Sequence, residues 1–287
     1  YKKMKYLIIF AFLVSGSIAA QDDLFSLLGD DTSSQEVRAT FKGTRVINGQ
    51  SIELPSKGDL QFVIEHRFGT INSGAYELWG LDQSQMRMSF DYGITNNIAI
   101  GVARNSFQKT YEASVKSKLL KQKFQNGSPI SITSYHAIFA NSIHWATPER
   151  ENLFSSRLSY AHQVMIARKF NQSFSLQLTP TYIHRNLVEL ESINNDYLAL
   201  GLGGRYKLTK RVSLNAEYFY QLERPNENFT NSLSLGFDIE TGGHVFQLHI
   251  TNSQGMFERA FIGETTGKWS EGNLYFGFNI SRVFGLK

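Results

Sequence analysis

From residue 58 onward apolar and polar side chains alternate with a period of two, the signature of strands with two unlike faces. In the first stretch Leu60, Phe62, Ile64, His66 and Phe68 share one face, and Gln61, Val63, Glu65 and Arg67 share the other. Met86, Met88, Phe90 and Tyr92 repeat the pattern, and a turn at 94–97 leads to Ile98, Ile100 and Val102. Tyr111, Ala113 and Val115 follow, then a mixed strand over 130–143 whose faces the pattern does not separate. Further alternating stretches run from Leu158 to Ile166, Phe174 to Tyr182, Leu198 to Tyr206, Val212 to Tyr220, Leu233 to Ile239, Phe246 to Ile250 and Leu274 to Ile280. The pattern predicts about twelve strands.

The connections alternate too. Short turns fall near Ile94, Lys169, Thr209 and Thr241, and longer polar loops fall at 70–83, 144–153, 185–195, 222–231 and 253–272. The stretch 118–128 is the exception, a long connection where a short one is due. An even strand number with short turns on one rim and long loops on the other is how outer-membrane barrels are built. Lipid offers no partner to an open sheet edge, so a sheet in a membrane must close. A lipocalin-like barrel or a sandwich shows the same alternation. The strand number, the unequal rims and the aromatic final strand favour an all-β, antiparallel, up-and-down transmembrane β-barrel over 58–287. Tyr92, Phe174, Tyr206, Tyr220 and Phe284, near strand ends, would form its interfacial girdles, and both termini would lie in the periplasm.

The first twenty residues differ. Lys2, Lys3 and Lys5 precede an apolar core at 6–14 and a small-residue end at 15–20, as in a secretory signal peptide that is cleaved on export. An apolar run of this length is too short to span a bilayer as a helix. Residues 21–57 then read as a periplasmic N-terminal segment, with a short helix at 24–28 and a hairpin around Asn48-Gly49, a dipeptide favoured in tight turns. That hairpin could stand in the periplasm or enter the barrel mouth as a plug. Composition narrows the classes further. With no cysteine there is no disulfide framework, thiolate metal site or catalytic thiol. The 29 Lys and Arg against 25 Asp and Glu give +4, but the three leader lysines are part of this excess. Acids and bases alternate along the chain, so there is no basic face for nucleic acid.

If the apolar faces meet lipid, the opposite faces line the lumen with Glu65, Arg67, Arg87, Asp91, Glu112, Lys116, Arg157, Arg205, Lys207, Glu217, Asp238, Glu240 and His249. Mixed signs fit either a cross-linked, filled wall or charged ladders around a narrow channel. Inward Ala99, Gly101, Ala103, Ala199, Gly201, Gly203, Gly236 and Gly277 would leave space on the wall, or else mark bends and close contacts. Catalysis finds little support. His249, Thr251, Asn252 and Ser253 offer a base and hydroxyls, but period two puts Asn252 and His249 on different faces, and no Gly-x-Ser-x-Gly elbow occurs. His244 and His249 are likewise on opposite faces, and His66 and His184 fall on the lipid register near the outer ends, so no metal site is expected. No cofactor is expected either.

Particular stretches also carry a resemblance. His66-Arg67-Phe68-Gly69, Gly80-Leu81-Asp82, the run from Gly203 to Leu208, the run from Gly242 to His249 and the run from Phe276 to Phe284 resemble a Bacteroidota outer-membrane β-barrel family of unassigned function, a domain of unknown function. The resemblance covers about 37–284. It implies a fold and a location in the outer-membrane lipid, and offers no functional residue to carry over. The final strand is similar to the signal read by the barrel assembly machinery, although Gly285, Leu286 and Lys287 extend past the usual terminal aromatic. The expected function is a narrow channel or binding barrel for a small solute, without a chemical step. Its alternatives are a filled barrel that anchors or scaffolds a periplasmic protein through residues 22–56 and, behind it, a barrel lipid hydrolase.

Overall fold

A computed structural model describes residues 35–124, 127–188, 193–224 and 226–286. The expected leader and the short helix at 24–28 lie outside the described residues. Twelve strands follow one another around a closed barrel: β1 (Asp59–Thr70), β2 (Ser84–Gly93), β3 (Ile98–Asn105), β4 (Thr110–Leu120), β5 (Ser131–Asn141), β6 (Leu158–Lys169), β7 (Phe174–Arg185), β8 (Asp196–Lys207), β9 (Val212–Gln221), β10 (Ser232–Thr241), β11 (His244–Thr251) and β12 (Tyr275–Gly285). Each pairs antiparallel with the next, and β1 closes on β12 with Ile64 opposite Ile280. Among the described residues no helix is long and apolar enough to cross a membrane.

The period-two reading corresponds to the two sides of the wall. Phe90, Ile100, Val102, Leu202, Leu214, Leu235, Phe237 and Leu248 are exposed on the outside, and Tyr92, Tyr206, Tyr220 and Phe284 are exposed near strand ends. Between β6 and β7 the ladder skips the positions opposite Thr179 and Pro180, and proline has no N–H to donate. The mixed strand is β5. Its Thr133, Tyr135, Ala137 and Phe139 are buried on the inside, while His136 and Ile138 face out. An inward tyrosine and phenylalanine beside an outward histidine blur the usual contrast, which is why the sequence left this strand unassigned.

The core is inside the barrel. The described part of the N-terminal segment rises into the lumen as a hairpin, with Arg45 bridged to Gln50, Val46 N–H donating to the Gly49 carbonyl at 2.8 Å and Ser51 N–H donating to the Thr44 carbonyl at 2.9 Å. From the opposite rim the connection between β11 and β12 folds inward and carries a six-residue helix, α1 (Glu258–Gly263). Met256, Phe257, Phe261 and Ile262 are fully buried, with Phe257 against Phe139 and Phe261 against Phe219. The sequence treated this connection as a polar outer loop, although the run from Met256 to Ile262 is the least polar part of it. The long connection between β4 and β5 also has a role. Glu36 bridges to Lys123, and Val37 N–H donates to the Gln122 carbonyl at 2.8 Å, so this connection receives the N-terminal segment at the rim.

Candidate functional site

Residues from around the wall grip the inner hairpin. Its tip offers three backbone N–H groups, of Ile47, Asn48 and Gly49, and the Glu217 carboxylate accepts all three at 3.2, 2.7 and 3.0 Å. Gly49 is needed for space. A Cβ there would lie 2.8 Å from the Phe219 ring, and Gly49 is not among the residues in the left-handed region. Arg67 donates to the Asn48 side chain at 2.5 Å and to Asn279 at 3.1 Å, and Asn279 in turn donates to the Ile47 carbonyl at 3.0 Å. Lys116 donates to the carbonyls of Thr44 and Glu53 at 3.1 and 2.9 Å, and Arg205 to that of Thr40 at 3.3 Å. Gln177 and Gln247 donate to the carbonyls of Gln50 and Val46 at 2.7 and 3.0 Å.

A buried ion network ties this hairpin to both the wall and α1. Arg45 of the hairpin stands 2.7 Å from Glu65, and Glu65 stands 3.1 Å from Arg87. Arg87 also reaches Glu112 at 2.7 Å. On its other side Arg45 lies 3.7 Å from Glu258, which accepts from Gln50 at 3.0 Å. Desolvating so many charges is costly unless each has a partner, and here arginines and glutamates alternate. Residues from both inserted segments and from β1, β2 and β4 thus form one unit.

The sequence-predicted lumen residues fall into five groups. Arg67, Lys116, Arg205 and Glu217 hold the hairpin, and Glu65, Arg87 and Glu112 belong to the ion network. Asp238 accepts from Gln247 at 2.7 Å, Asp91 borders a cavity of about 10 Å³ with Lys116, and His249 is buried next to Gly236 and Gly277. Glu240 pairs with Lys42 of the N-terminal segment and Lys207 is half-buried, both at the short-turn end of their strands. Arg157 is apart from the rest, in the turn before β6 at the long-loop rim. Neighbouring side chains occupy the space beside three of the small inward residues: Val46 over Gly203, Phe219 over Gly201, and Asp91 and Ser114 over Gly101. Near His249, Thr251 bonds Ser234, Asn252 donates to the Gly267 carbonyl and Ser253 donates to the Gly255 carbonyl. These groups hold the outer connection in place and do not assemble around the imidazole.

Above α1, at the long-loop rim, lies a cavity of about 520 Å³. Phe107, Ile143, Trp145, Leu187 and Phe229 give it an apolar side, and Arg157, Arg185, Arg259 and Glu264 give it charge. Arg157 lies over the Trp145 ring at 3.9 Å and donates to the carbonyls of Asn141 and Ile143 at 2.9 and 2.6 Å. Glu264 is 2.7 Å from Arg259 and 3.6 Å from Arg185. Arg45, Glu258, Arg259 and Glu264 lie off the strands and carry no parity signal, and Arg185 ends β7 where the sequence pattern already places a loop. Inward Gln177, Gln247 and Asn279 could have been found by their strand parity.

Residues 41–284 match the model of a family described as "Membrane bound beta barrel domain (DUF5777)". The chain belongs to that family. None of the curated proteins matches it. Among solved structures it is similar to an outer membrane channel from Pseudomonas putida F1, at 12% identity over 81% of this chain and 97% of that one, with a TM-score of 0.51. The NanC porin aligns at 8% identity over 79% and 99% of the two chains, with a TM-score of 0.48. Outer membrane phospholipase A from Escherichia coli aligns at 10% identity over 80% and 91%, with a TM-score of 0.46. At these identities the likeness is one of fold: this family member is a membrane β-barrel with twelve strands.

Proposed function

We propose that this barrel sits in the outer membrane with its short turns in the periplasm, takes a small solute into the outer cavity, and passes it inward when the N-terminal hairpin yields. No bond is made or broken in this reading. The observation that carries it is a cavity of about 520 Å³ on the long-loop side of a lumen filled by two inserted segments, one of them the hairpin that precedes β1. That hairpin belongs to no strand of the wall, so it can withdraw without breaking the sheet, and many of its contacts with the wall are hydrogen bonds that water can replace. The rival expectation, capture of a periplasmic partner by residues 22–56, loses residues 40–41 and 45–52 as a free surface, because they are buried inside the barrel.

Single-channel recording of the refolded protein in a planar bilayer tests the reading, alongside a chain lacking residues 35–54 and the full-length Arg45→Gln. The wild type should be mostly closed with infrequent steps, and both altered chains should conduct for most of the record. Silence from altered chains that still show the heat-dependent gel shift of a folded barrel would make the barrel a closed scaffold.

A further inference from the structure

We infer that the outer cavity selects small carboxylates with an apolar body; this rests on the solute-binding reading above. Its volume of about 520 Å³ lies within the range of roughly 300–1,000 Å³ usual for ligand sites. Its charge is unbalanced: among the described residues that line it, three arginines face one glutamate, and His144 adds no negative charge. Glu264 is shared between Arg259 and Arg185, and the Nε–H groups of both arginines are buried without an acceptor among the described residues. Among the described residues Arg157 has only backbone carbonyls as acceptors, and its guanidinium lies over the Trp145 ring at the rim. A guanidinium so placed presents a fork that fits the two oxygens of a carboxylate.

The apolar side sets the rest of the ligand. Phe107, Ile143, Leu187 and Phe229 come from four separate connections and converge on the same space as the arginines. A hydrated inorganic anion would leave that side unfilled, and a neutral apolar solute would leave the guanidinium charge unmatched in a partly dry site. One molecule that satisfies both is a carboxylate on a compact apolar ring or short chain. Field lines from the three arginines would also concentrate such an anion at the mouth.

The test uses three probes with one ring and different charge: benzoate, benzamide and benzylamine. Each is titrated calorimetrically into the full chain in detergent, then into Arg157→Gln, Arg185→Gln and, as a control at the opposite rim, Arg211→Gln. Benzoate should bind the wild type at least 10-fold more tightly than benzamide, with benzylamine weakest. Arg157→Gln should erase most of that preference, Arg185→Gln should reduce it, and Arg211→Gln should leave it intact. Arg157 is the primary site because it makes no ion pair among the described residues. Equal binding of benzoate and benzamide would overturn the charge selection while leaving the cavity as a solute site. A preference for benzylamine would overturn it as well. Failure of all three to bind a barrel that shows its normal gel shift would overturn both this inference and the reading beneath it.

Discussion

Two segments fill this barrel, and they are held differently. The inner hairpin is bound by its backbone: Glu217 takes three N–H groups at its tip, while Lys116, Arg205, Gln177, Gln247 and Asn279 take its carbonyls. Val46, Ile47 and Ile52 contribute apolar contacts, but the specific grip is polar. The outer segment is the reverse. Its helix is seated chiefly by Phe257, Phe261 and Ile262, packed with Phe139 and Phe219 in an apolar cluster whose far side takes in Phe41, Val46 and Ile52 of the hairpin. Apolar seating of this kind is lost all at once when the surface is exposed, whereas hydrogen bonds to a wall of polar side chains can be exchanged for water one at a time. The contrast teaches that the polar-gripped segment is the movable one and the apolar-seated segment the fixed one: the hairpin precedes β1 and lies outside the sheet, whereas the outer segment is tied at both ends, to β11 and β12.

The largest effects should come from breaking each segment's own attachment. Arg45→Gln leaves Glu258 without its buried cation and Glu65 with Arg87 alone, and Phe257→Ala removes a ring from the apolar cluster. Each should cost about 3–5 kcal/mol, read as a lower midpoint of the heat-induced gel shift. Their signatures should differ. Because the chain has no cysteine, Val46→Cys and Met256→Cys can report each segment separately by maleimide labelling. Arg45→Gln should speed labelling at position 46 at least 10-fold with little change at 256, and Phe257→Ala should do the opposite; equal acceleration at both would mean that the two segments move as one. A smaller effect, about 1–3 kcal/mol, is expected from Gly203→Leu, whose side chain would press on Val46, whereas Gly204→Leu points to the lipid side. Position 46 should label faster in the first and not in the second. The smallest change belongs to Lys121→Ala, which removes a half-exposed pair with Glu36 where the N-terminal segment enters. It should shift the midpoint by less than about 1 kcal/mol, and its effect should vanish at high salt.

The barrel itself was legible because period two is imposed locally. A wall residue faces either lipid or lumen according to parity alone, so Phe90, Leu202 and Leu214 could be placed outside and Glu65, Arg87 and Glu217 inside without knowing their partners. Parity failed at β5, where the inner face meets protein rather than water and therefore carries Tyr135 and Phe139. The same cause hid the outer segment: apolar residues in a loop follow no strand period, and their meaning appears only when Phe219 and Phe139 arrive beside them.

The sequence by itself therefore determined the all-β barrel class, the strand number and the parity of the wall residues, since each follows from alternation along the chain. Tertiary structure decided what the inward charges do. Arg45 lies 20 residues from Glu65 and more than 200 from Glu258 in sequence, and only closure of β1 on β12 around an inserted hairpin and a folded-in loop brings the three into one buried network. Whether the lumen is open or filled depends on such long-range contacts. A charge on an inward face records only that its surroundings are polar; it does not record whether water or another segment of the chain supplies them.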